Sequence, residues 1–174
     1  MLTISDFVFM LKSIGSSLKI RISYFVLLND SMQLSFPNYE PRFRQKETAK
    51  EIWDPFRKKW VAFTPEEWVR QNMLHFLVHR CQVPPALVAI EKSLKIGPLT
   101  KRADILVYKE DAVWMLVECK AQNIGLDQDT LQQILAYHTV RQAKYLVISN
   151  GTQTFCFSTL DGQWQAQEEM PVYA

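Results

Sequence analysis

The chain has 174 residues, of which 48% are hydrophobic and 22% charged, and its formal net charge is +2. This composition is typical of one globular domain with a sizeable core and argues against disorder over most of the chain. Its three cysteines, Cys81, Cys119 and Cys156, lie far apart and lack the paired spacing of zinc ligands. We therefore expect buried thiols in a reducing compartment, without a disulfide framework or a zinc site.

The first 31 residues differ from the rest of the chain. Two apolar runs occur there, but basic residues interrupt them and neither reaches the ~20 residues that a membrane span needs. Asp6 precedes the first run where a secretory signal would carry basic residues. Met32 opens a polar stretch and could itself be a natural start. We expect an appendage over residues 1–31, a domain over residues 32–174, and a cytoplasmic location without a membrane.

A basic stretch covers residues 41–60, where seven basic residues outnumber three acidic ones. Aromatic residues, among them Trp53 and Trp60, are interleaved with the basic ones. Such a composition suits contact with a phosphate backbone. A solvated basic face is an equally good interpretation of a run of this kind.

The first predicted elements are a strand and a helix. Residues 59–63 indicate a short strand, and Thr64 then forms a helix N-cap. Pro65 at the first helical position and Glu67 three residues after the cap complete a capping box with a proline start. Apolar residues recur at helical spacing to about Arg80, and the following Pro-Pro pair allows at most a short helical turn.

A β-hairpin is the next strong signal. Residues 102–108 and 113–121 are rich in aliphatic and aromatic residues, and a short polar loop separates them. The other predicted elements are an extended segment over 87–96, a second helix from Asp127 to about Gln142, a strand over 144–149 and a closing hairpin over 154–167. No phosphate-binding glycine loop occurs in the chain, so we expect no ATP hydrolysis within it.

The predicted hairpin brings acidic and basic side chains together. Asp104 and Tyr108 share one face of the first strand, because side chains alternate along a strand. Trp114, Glu118 and Lys120 share one face of the second strand. If Tyr108 lies opposite Trp114, Asp104 lies opposite Glu118, with Cβ atoms roughly 5 Å apart. This register is an assumption, and a slip of one residue would separate the set.

Two neighbouring carboxylates repel each other, and partial burial raises that cost. A divalent cation resolves the conflict, and Mg²⁺ takes few protein carboxylates while it keeps sites for water and phosphate. A lysine beside the pair can hold or deprotonate a metal-bound water. The pattern therefore predicts phosphodiester hydrolysis at Asp104, Glu118 and Lys120. The alternative is an ordinary Glu118–Lys120 ion pair on a solvated strand.

These segments resemble a known family. Asp104 in KRADILVY, Glu118-Cys119-Lys120 in WMLVECKA, and Gln133 and Tyr137 in QILAY are similar to the PD-(D/E)XK nuclease superfamily. With TPEEWVRQ and LVISNG, they resemble the N-terminal nuclease domain of type I restriction enzyme R subunits. The resemblance implies an α/β, restriction-endonuclease-like αβββαβ core, with a central mixed β-sheet flanked by helices. It also implies Mg²⁺-dependent DNA cleavage, with Mn²⁺ as a substitute, in a restriction or repair setting.

The resemblance also assigns roles to residues. It places Glu67, in preference to Glu66, at the periphery of the metal site. Gln133 and Tyr137, on one face of the second helix, would orient the lysine or the substrate phosphate. Asp104, Glu118 and the Cys119 backbone carbonyl would hold the metal. The residues expected to contact DNA are Arg42, Arg44, Arg57, Lys58, Lys59, Lys101 and Arg102.

A complete R subunit carries a translocating motor, for which 174 residues leave no room. The expected function is therefore that of a stand-alone endonuclease, or of a nuclease subunit that works with a separate motor or specificity subunit. The alternative is a non-catalytic DNA-binding or assembly module of a restriction or repair system. Because one site cuts one strand at a time, cleavage of both strands would call for a homodimer.

Overall fold

The computed structural model describes residues 31–96, 99–126, 143–160 and 163–174. The elements, in chain order, are β1 (Phe43–Lys46), β2 (Ala49–Asp54), β3 (Lys59–Ala62), α1 (Pro65–His79), a 3₁₀ helix (Pro85–Leu87), β4 (Val88–Ile96), β5 (Leu99–Lys109), β6 (Ala112–Cys119), β7 (Tyr145–Ser149), β8 (Thr154–Leu160) and β9 (Gln163–Gln167). No helix within these described ranges is long and apolar enough to cross a membrane.

The strands form two sheets. One is a three-stranded antiparallel sheet of order β1-β2-β3, and the other has six strands in the order β4-β5-β6-β7-β8-β9. Strands β6 and β7 are parallel, whereas their neighbours pair antiparallel, so the larger sheet is mixed. The fold is therefore mixed α/β. The predicted αβββαβ core includes a second helix from Asp127 to about Gln142, and that segment lies outside the described residues.

Helix α1 begins as its sequence predicts. Pro65 occupies the first turn, and the Thr64 side-chain oxygen accepts a hydrogen bond from the Glu67 backbone N–H at 3.0 Å. The second half of the predicted capping box is wrong, because the Glu67 carboxylate turns instead towards Arg57, Arg70 and Gln71. The helix packs its apolar face against β5 and β6.

The register of the β5–β6 hairpin agrees with the prediction at its centre and departs from it near the turn. Leu106 lies opposite Leu116, as alternation predicts. A bulge then shifts the register, so Tyr108 lies opposite Val113 and the assumed pairing with Trp114 is wrong. The extra residue reverses the alternation of faces locally. Trp114 consequently joins Met115 in the apolar cluster beneath α1 instead of sharing the face of Leu116.

The core lies on both faces of the six-stranded sheet. The cluster beneath α1 includes Met73, Leu77, Ile105, Val107, Met115, Val117 and Val147. The cluster on the opposite face includes Leu106, Leu116, Leu146, Ile148, Phe155 and Phe157. The three cysteines are buried and free, as expected. Strands β5 and β6 therefore contribute buried side chains to the clusters on both faces of the sheet.

Candidate active site

Asp104 lies near the end of the paired part of β5 and is 6% exposed. Its Oδ2 accepts a hydrogen bond from the Cys119 backbone N–H at 2.7 Å, just beyond the last backbone pair of the hairpin. Its Oδ1 accepts from Nη2 of Arg70, on helix α1, at 2.8 Å. Both oxygens of this carboxylate are therefore engaged by fixed donors.

Glu118 is buried to a similar extent as Asp104, at 8% exposed, but its hydrogen bonding is different. Its Oε1 accepts from the Lys120 ammonium at 3.0 Å. Its Oε2 is buried and has no hydrogen-bond partner among the described residues. Burial, and then the negative charge of Asp104, raise the pKa of Glu118 to about 7, against the opposing charge of Lys120. The charged form of this carboxylate is therefore disfavoured, and one of its oxygens has no donor among the described residues.

Lys120 joins the end of β6 to the adjacent strand, because its backbone N–H donates to the Ser149 carbonyl at 2.9 Å. Its side chain is partly exposed beside Glu118. Burial lowers the pKa of Lys120, but the charges of Glu118 and Asp104 outweigh that effect and raise it overall. Lys120 is therefore a cation that can donate to a water or phosphate oxygen, and it is poorly suited to accept a proton.

The structure brings the predicted trio together. The negative charges of Asp104 and Glu118 both raise the pKa of Lys120, and that of Asp104 raises the pKa of Glu118. Gln133 and Tyr137, the two predicted helix residues of the site, lie outside the described part of the chain. Within the described ranges, Asp104 lies on β5, Glu118 on β6 and Lys120 directly after β6.

Glu67 is joined to this trio through one intermediate residue. Its carboxylate accepts from Arg57, from Gln71 at 2.7 Å and from Arg70, and Arg70 in turn contacts Asp104. Glu67 therefore lies one side chain removed from Asp104.

Glu66, which ranks behind Glu67 in the resemblance, also belongs to the surroundings of the trio. It accepts from Arg70 Nη2 at 3.0 Å, and its negative charge contributes to the raised pKa values of Glu118 and Lys120. The i, i+4 spacing of Glu66 and Arg70 is the sequence signal that could have indicated this pair.

Arg70 is a residue of the site that sequence reasoning missed. It is 3% exposed and contacts Asp104, Glu66 and Glu67. The available signal was an arginine set between apolar positions of α1, where a buried charge requires partners. Its partner Asp104 is 34 residues away along the chain and cannot be identified from local spacing.

The residues predicted to contact DNA divide into two groups. Arg57 differs from the expectation, because its guanidinium is held by Asp54, Glu67 and Glu91 and has 12% side-chain exposure. It therefore holds the three-stranded sheet against α1 and β4. Arg102 is exposed and lies 3.3 Å from Glu91. The Lys101 side chain is beyond the described part of the structure.

Arg42 and Arg44 lie on an exposed face of the three-stranded sheet. The Arg42 guanidinium lies 4.9 Å from the ring centre of Trp53, and that of Arg44 lies 4.6 Å from the ring centre of Trp60. Trp53 and Trp60 are direct cross-strand partners. Lys58 and Lys59 are exposed where β3 begins. We call the face formed by Arg42, Arg44, Trp53 and Trp60 the Arg–Trp face.

The described residues include one feature that a small, hard divalent cation would satisfy. The buried Glu118 Oε2 has no hydrogen-bond partner among them, and the charge of the Asp104 carboxylate acts on Glu118. Among the described residues, no group of three or more His, Cys, Asp or Glu side chains is arranged to hold a metal ion. Two carboxylates and a backbone carbonyl would match Mg²⁺, which keeps several waters and takes few protein ligands.

The described fold is mixed α/β, with two carboxylates and a lysine near the end of its central hairpin. A family model for the type I restriction enzyme R protein N terminus (HSDR_N) matches residues 65–171, more than half of the chain. The chain belongs to this family. The match begins at the first residue of α1, so β1–β3 precede it.

The comparison with solved structures gives a fragment described as an HsdR subunit of a type I restriction enzyme from Vibrio vulnificus YJ016. The sequence identity is 24% and the TM-score is 0.40. The similarity covers 49% of this chain and 19% of that chain, so this chain matches only a small part of that structure. The search of curated proteins gives no match.

Proposed function

We propose that this chain is a Mg²⁺-dependent DNA endonuclease related to the nuclease domains of type I R subunits. The observation that carries the proposal is the buried Oε2 of Glu118, which has no partner among the described residues and lies beside Asp104 and Lys120. Family membership supports a nuclease-related role. Mn²⁺ is expected to substitute for Mg²⁺.

Burial of the Glu118 carboxylate has an energetic cost. A buried polar atom without a partner costs about 1–3 kcal/mol. A second carboxylate nearby adds repulsion. A divalent cation held by Asp104, Glu118 and the Cys119 carbonyl would remove both costs. A purely structural strand end gives no reason for this arrangement.

The chain's own residues have separable roles in the proposed reaction. When bound, the metal supplies Lewis-acid activation of water and stabilisation of phosphate charge. Lys120, as a cation, would hold the attacking water or a phosphate oxygen by hydrogen bonding. Gln133 and Tyr137 are proposed to orient Lys120 or the phosphate. Asp104, with both oxygens on fixed donors, supplies a preorganised ligand.

DNA is the proposed substrate, and the Arg–Trp face is its proposed contact surface. Arg42 and Arg44 present guanidinium groups over Trp53 and Trp60, with Glu51 as a salt-bridge partner of Arg44. Arginines can neutralise backbone phosphates, and aromatic side chains can stack on bases. The exposed Lys58 and Lys59 would extend this surface.

The second candidate is a non-catalytic DNA-binding or assembly module of a restriction or repair system. The Arg–Trp face favours it, because its contacts involve none of Asp104, Glu118 or Lys120. This function would require neither a metal nor Lys120. In both proposals a separate motor or specificity subunit, a homodimer and a cytoplasmic location are further expectations.

The test is plasmid cleavage by the purified chain in Mg²⁺ or Mn²⁺, compared with EDTA. We expect metal-dependent nicking or linearisation, and its loss in Lys120→Ala because the phosphate-facing cation is removed. Lys144→Ala is the matched control, since Lys144 is an exposed lysine outside the trio. Cleavage that persists in EDTA or in Lys120→Ala would contradict the assigned site. DNA binding without cleavage would favour the second candidate.

A further inference from the structure

We infer that Arg70 is a positioning residue of the metal site, which fixes the Asp104 carboxylate in the orientation needed to bind a divalent cation. The inference rests on the proposed function and adds to it a residue on helix α1. Arg70 itself would contact neither the cation nor the substrate. It would act through Asp104.

The contacts of Arg70 are directional and enclosed. Nη2 donates to Asp104 Oδ1 at 2.8 Å and to Glu66 Oε1 at 3.0 Å, while Nη1 donates to Glu67. The side chain is 4% exposed. A planar guanidinium with several fixed donors can orient a carboxylate, whereas the ammonium of a lysine is a point charge without that geometry.

Arg70 is itself held in place by a second buried ion network. Glu67, which accepts from Arg70, also accepts from Arg57. Arg57 reaches Asp54 at the end of β2 and Glu91 on β4, the latter at 2.5 Å. The network therefore ties three elements together: the turn after β2, helix α1 and strand β4. Arg70 is consequently anchored on the side away from Asp104.

The result for Asp104 is a fixed orientation. Arg70 engages Oδ1, and the Cys119 backbone N–H engages Oδ2 at 2.7 Å. Each carboxylate oxygen can accept more than one bond, so both donors can stay in place while a cation binds. Partners that hold a ligating side chain in this way usually affect metal affinity strongly.

The permanent charge of Arg70 has a second consequence. Its guanidinium forms a buried ion pair with Asp104 at 2.8 Å. A guanidinium stays protonated at any working pH. The ion pair between Arg70 and Asp104 therefore does not depend on titration of Arg70.

The test is calorimetric titration of the full chain with Mn²⁺ for the wild type, Arg70→Gln, Arg70→Lys and Arg57→Gln. We expect Arg70→Gln to weaken Mn²⁺ binding about 10- to 100-fold. Arg70→Lys keeps the charge but loses the fork, and we expect an intermediate loss. Arg57→Gln is the comparison, because Arg57 is held by Asp54, Glu67 and Glu91 and reaches Asp104 through Glu67 and Arg70. We expect it to weaken Mn²⁺ binding less than Arg70→Gln does.

The outcomes separate the inference from the proposed function. If the wild type binds Mn²⁺ and Arg70→Gln binds equally well, Arg70 does not position the ligand and the inference fails alone. Tighter binding in Arg70→Gln would overturn it as well, because Arg70 would then compete with the cation for Asp104. An equal loss in Arg57→Gln would indicate a general structural effect. If the wild type does not bind Mn²⁺, both ideas fail. Circular dichroism identifies a misfolded variant, in which case Arg70→Lys decides.

Discussion

Asp104 and Glu118 are neighbouring buried carboxylates with opposite surroundings. Asp104 accepts hydrogen bonds from Arg70 and from a backbone N–H, whereas one oxygen of Glu118 has no donor in the described structure. The first carboxylate therefore has hydrogen-bond donors for both of its oxygens. The second is costly as an ionised group, because burial and Asp104 both raise its pKa.

This difference predicts how stability depends on pH. The pKa of Glu118 is about 7 in the folded chain against an ordinary value of 4.5, so the folded state holds its proton more tightly than the unfolded state. The contribution of Glu118 to the free energy of unfolding is fully present below its pKa in the unfolded chain. It is lost as the pH rises through its pKa in the folded chain, about 7. The penalty at pH 8 is about 3 kcal/mol.

Glu118→Gln should therefore raise the free energy of unfolding at pH 8 by up to about 3 kcal/mol, since it removes the buried charge. The gain should shrink towards zero as pH falls to the ordinary carboxyl range. Urea unfolding at pH 5 and pH 8 measures it, with Glu168→Gln as the exposed control. A gain in Glu118→Gln that does not change with pH would contradict the account.

By contrast, Asp104→Asn should lower the free energy of unfolding by about 3 kcal/mol, because Arg70 loses a buried partner.

At the scale of single residues, the sequence was informative where alternation along strands could be used. The facing of Leu106 and Leu116 was predicted, and with it the approach of Asp104 to Glu118. The Glu67 carboxylate was assigned to the helix cap, but buried Arg57 and Arg70 require it more strongly than an exposed helix end does. Contacts between residues far apart in the chain decided that outcome.

At the scale of elements, α1 and the strands of the large sheet were predictable, whereas β1 and β2 were not assigned. The β1–β2 turn has Glu47 at φ 52, and Lys58 before β3 has φ 51. Turns with positive φ usually carry glycine or asparagine, which are absent here, so the usual hairpin signal was missing. The bulge near Tyr108 was likewise not encoded in any visible pattern.

The three-stranded sheet offers a comparison between its two faces. Arg42 and Arg44 lie on the Arg–Trp face, whereas the Lys50 ammonium lies 4.0 Å from the Phe43 ring centre on the opposite face. If the Arg–Trp face contacts backbone phosphates, Arg42→Ala with Arg44→Ala should weaken DNA binding across sequences. The slope of log affinity against log salt should fall by about 2.

Fluorescence anisotropy with a labelled duplex at several salt concentrations measures this slope. Lys50→Ala is the control from the opposite face and should change the slope little. Equal effects of the two variants would indicate diffuse attraction of DNA to positive charge. An unchanged slope in the arginine variant would remove the Arg–Trp face from the proposal.

At the scale of the whole molecule, the described residues comprise two parts. One is the region that matches the family, and the other is the three-stranded sheet that precedes it in the chain. The match to the R protein N terminus covers residues 65–171, and β1–β3 lie before it. Arg57 joins the two parts through Glu67 and Glu91. The three-stranded sheet carries the Arg–Trp face. Its β2–β3 turn is therefore connected to the ion network that ends at Asp104.

The measurement that tests the central claim most directly is Mn²⁺ titration of the wild type and Glu118→Gln at pH 8, where Glu118 is mostly ionised. We expect the wild type to bind the cation and to gain thermal stability as its concentration rises. Glu118→Gln should lose both effects, because the unpartnered carboxylate oxygen has been replaced. Equal Mn²⁺ binding by the two proteins would contradict the account, since the cation would then lie elsewhere.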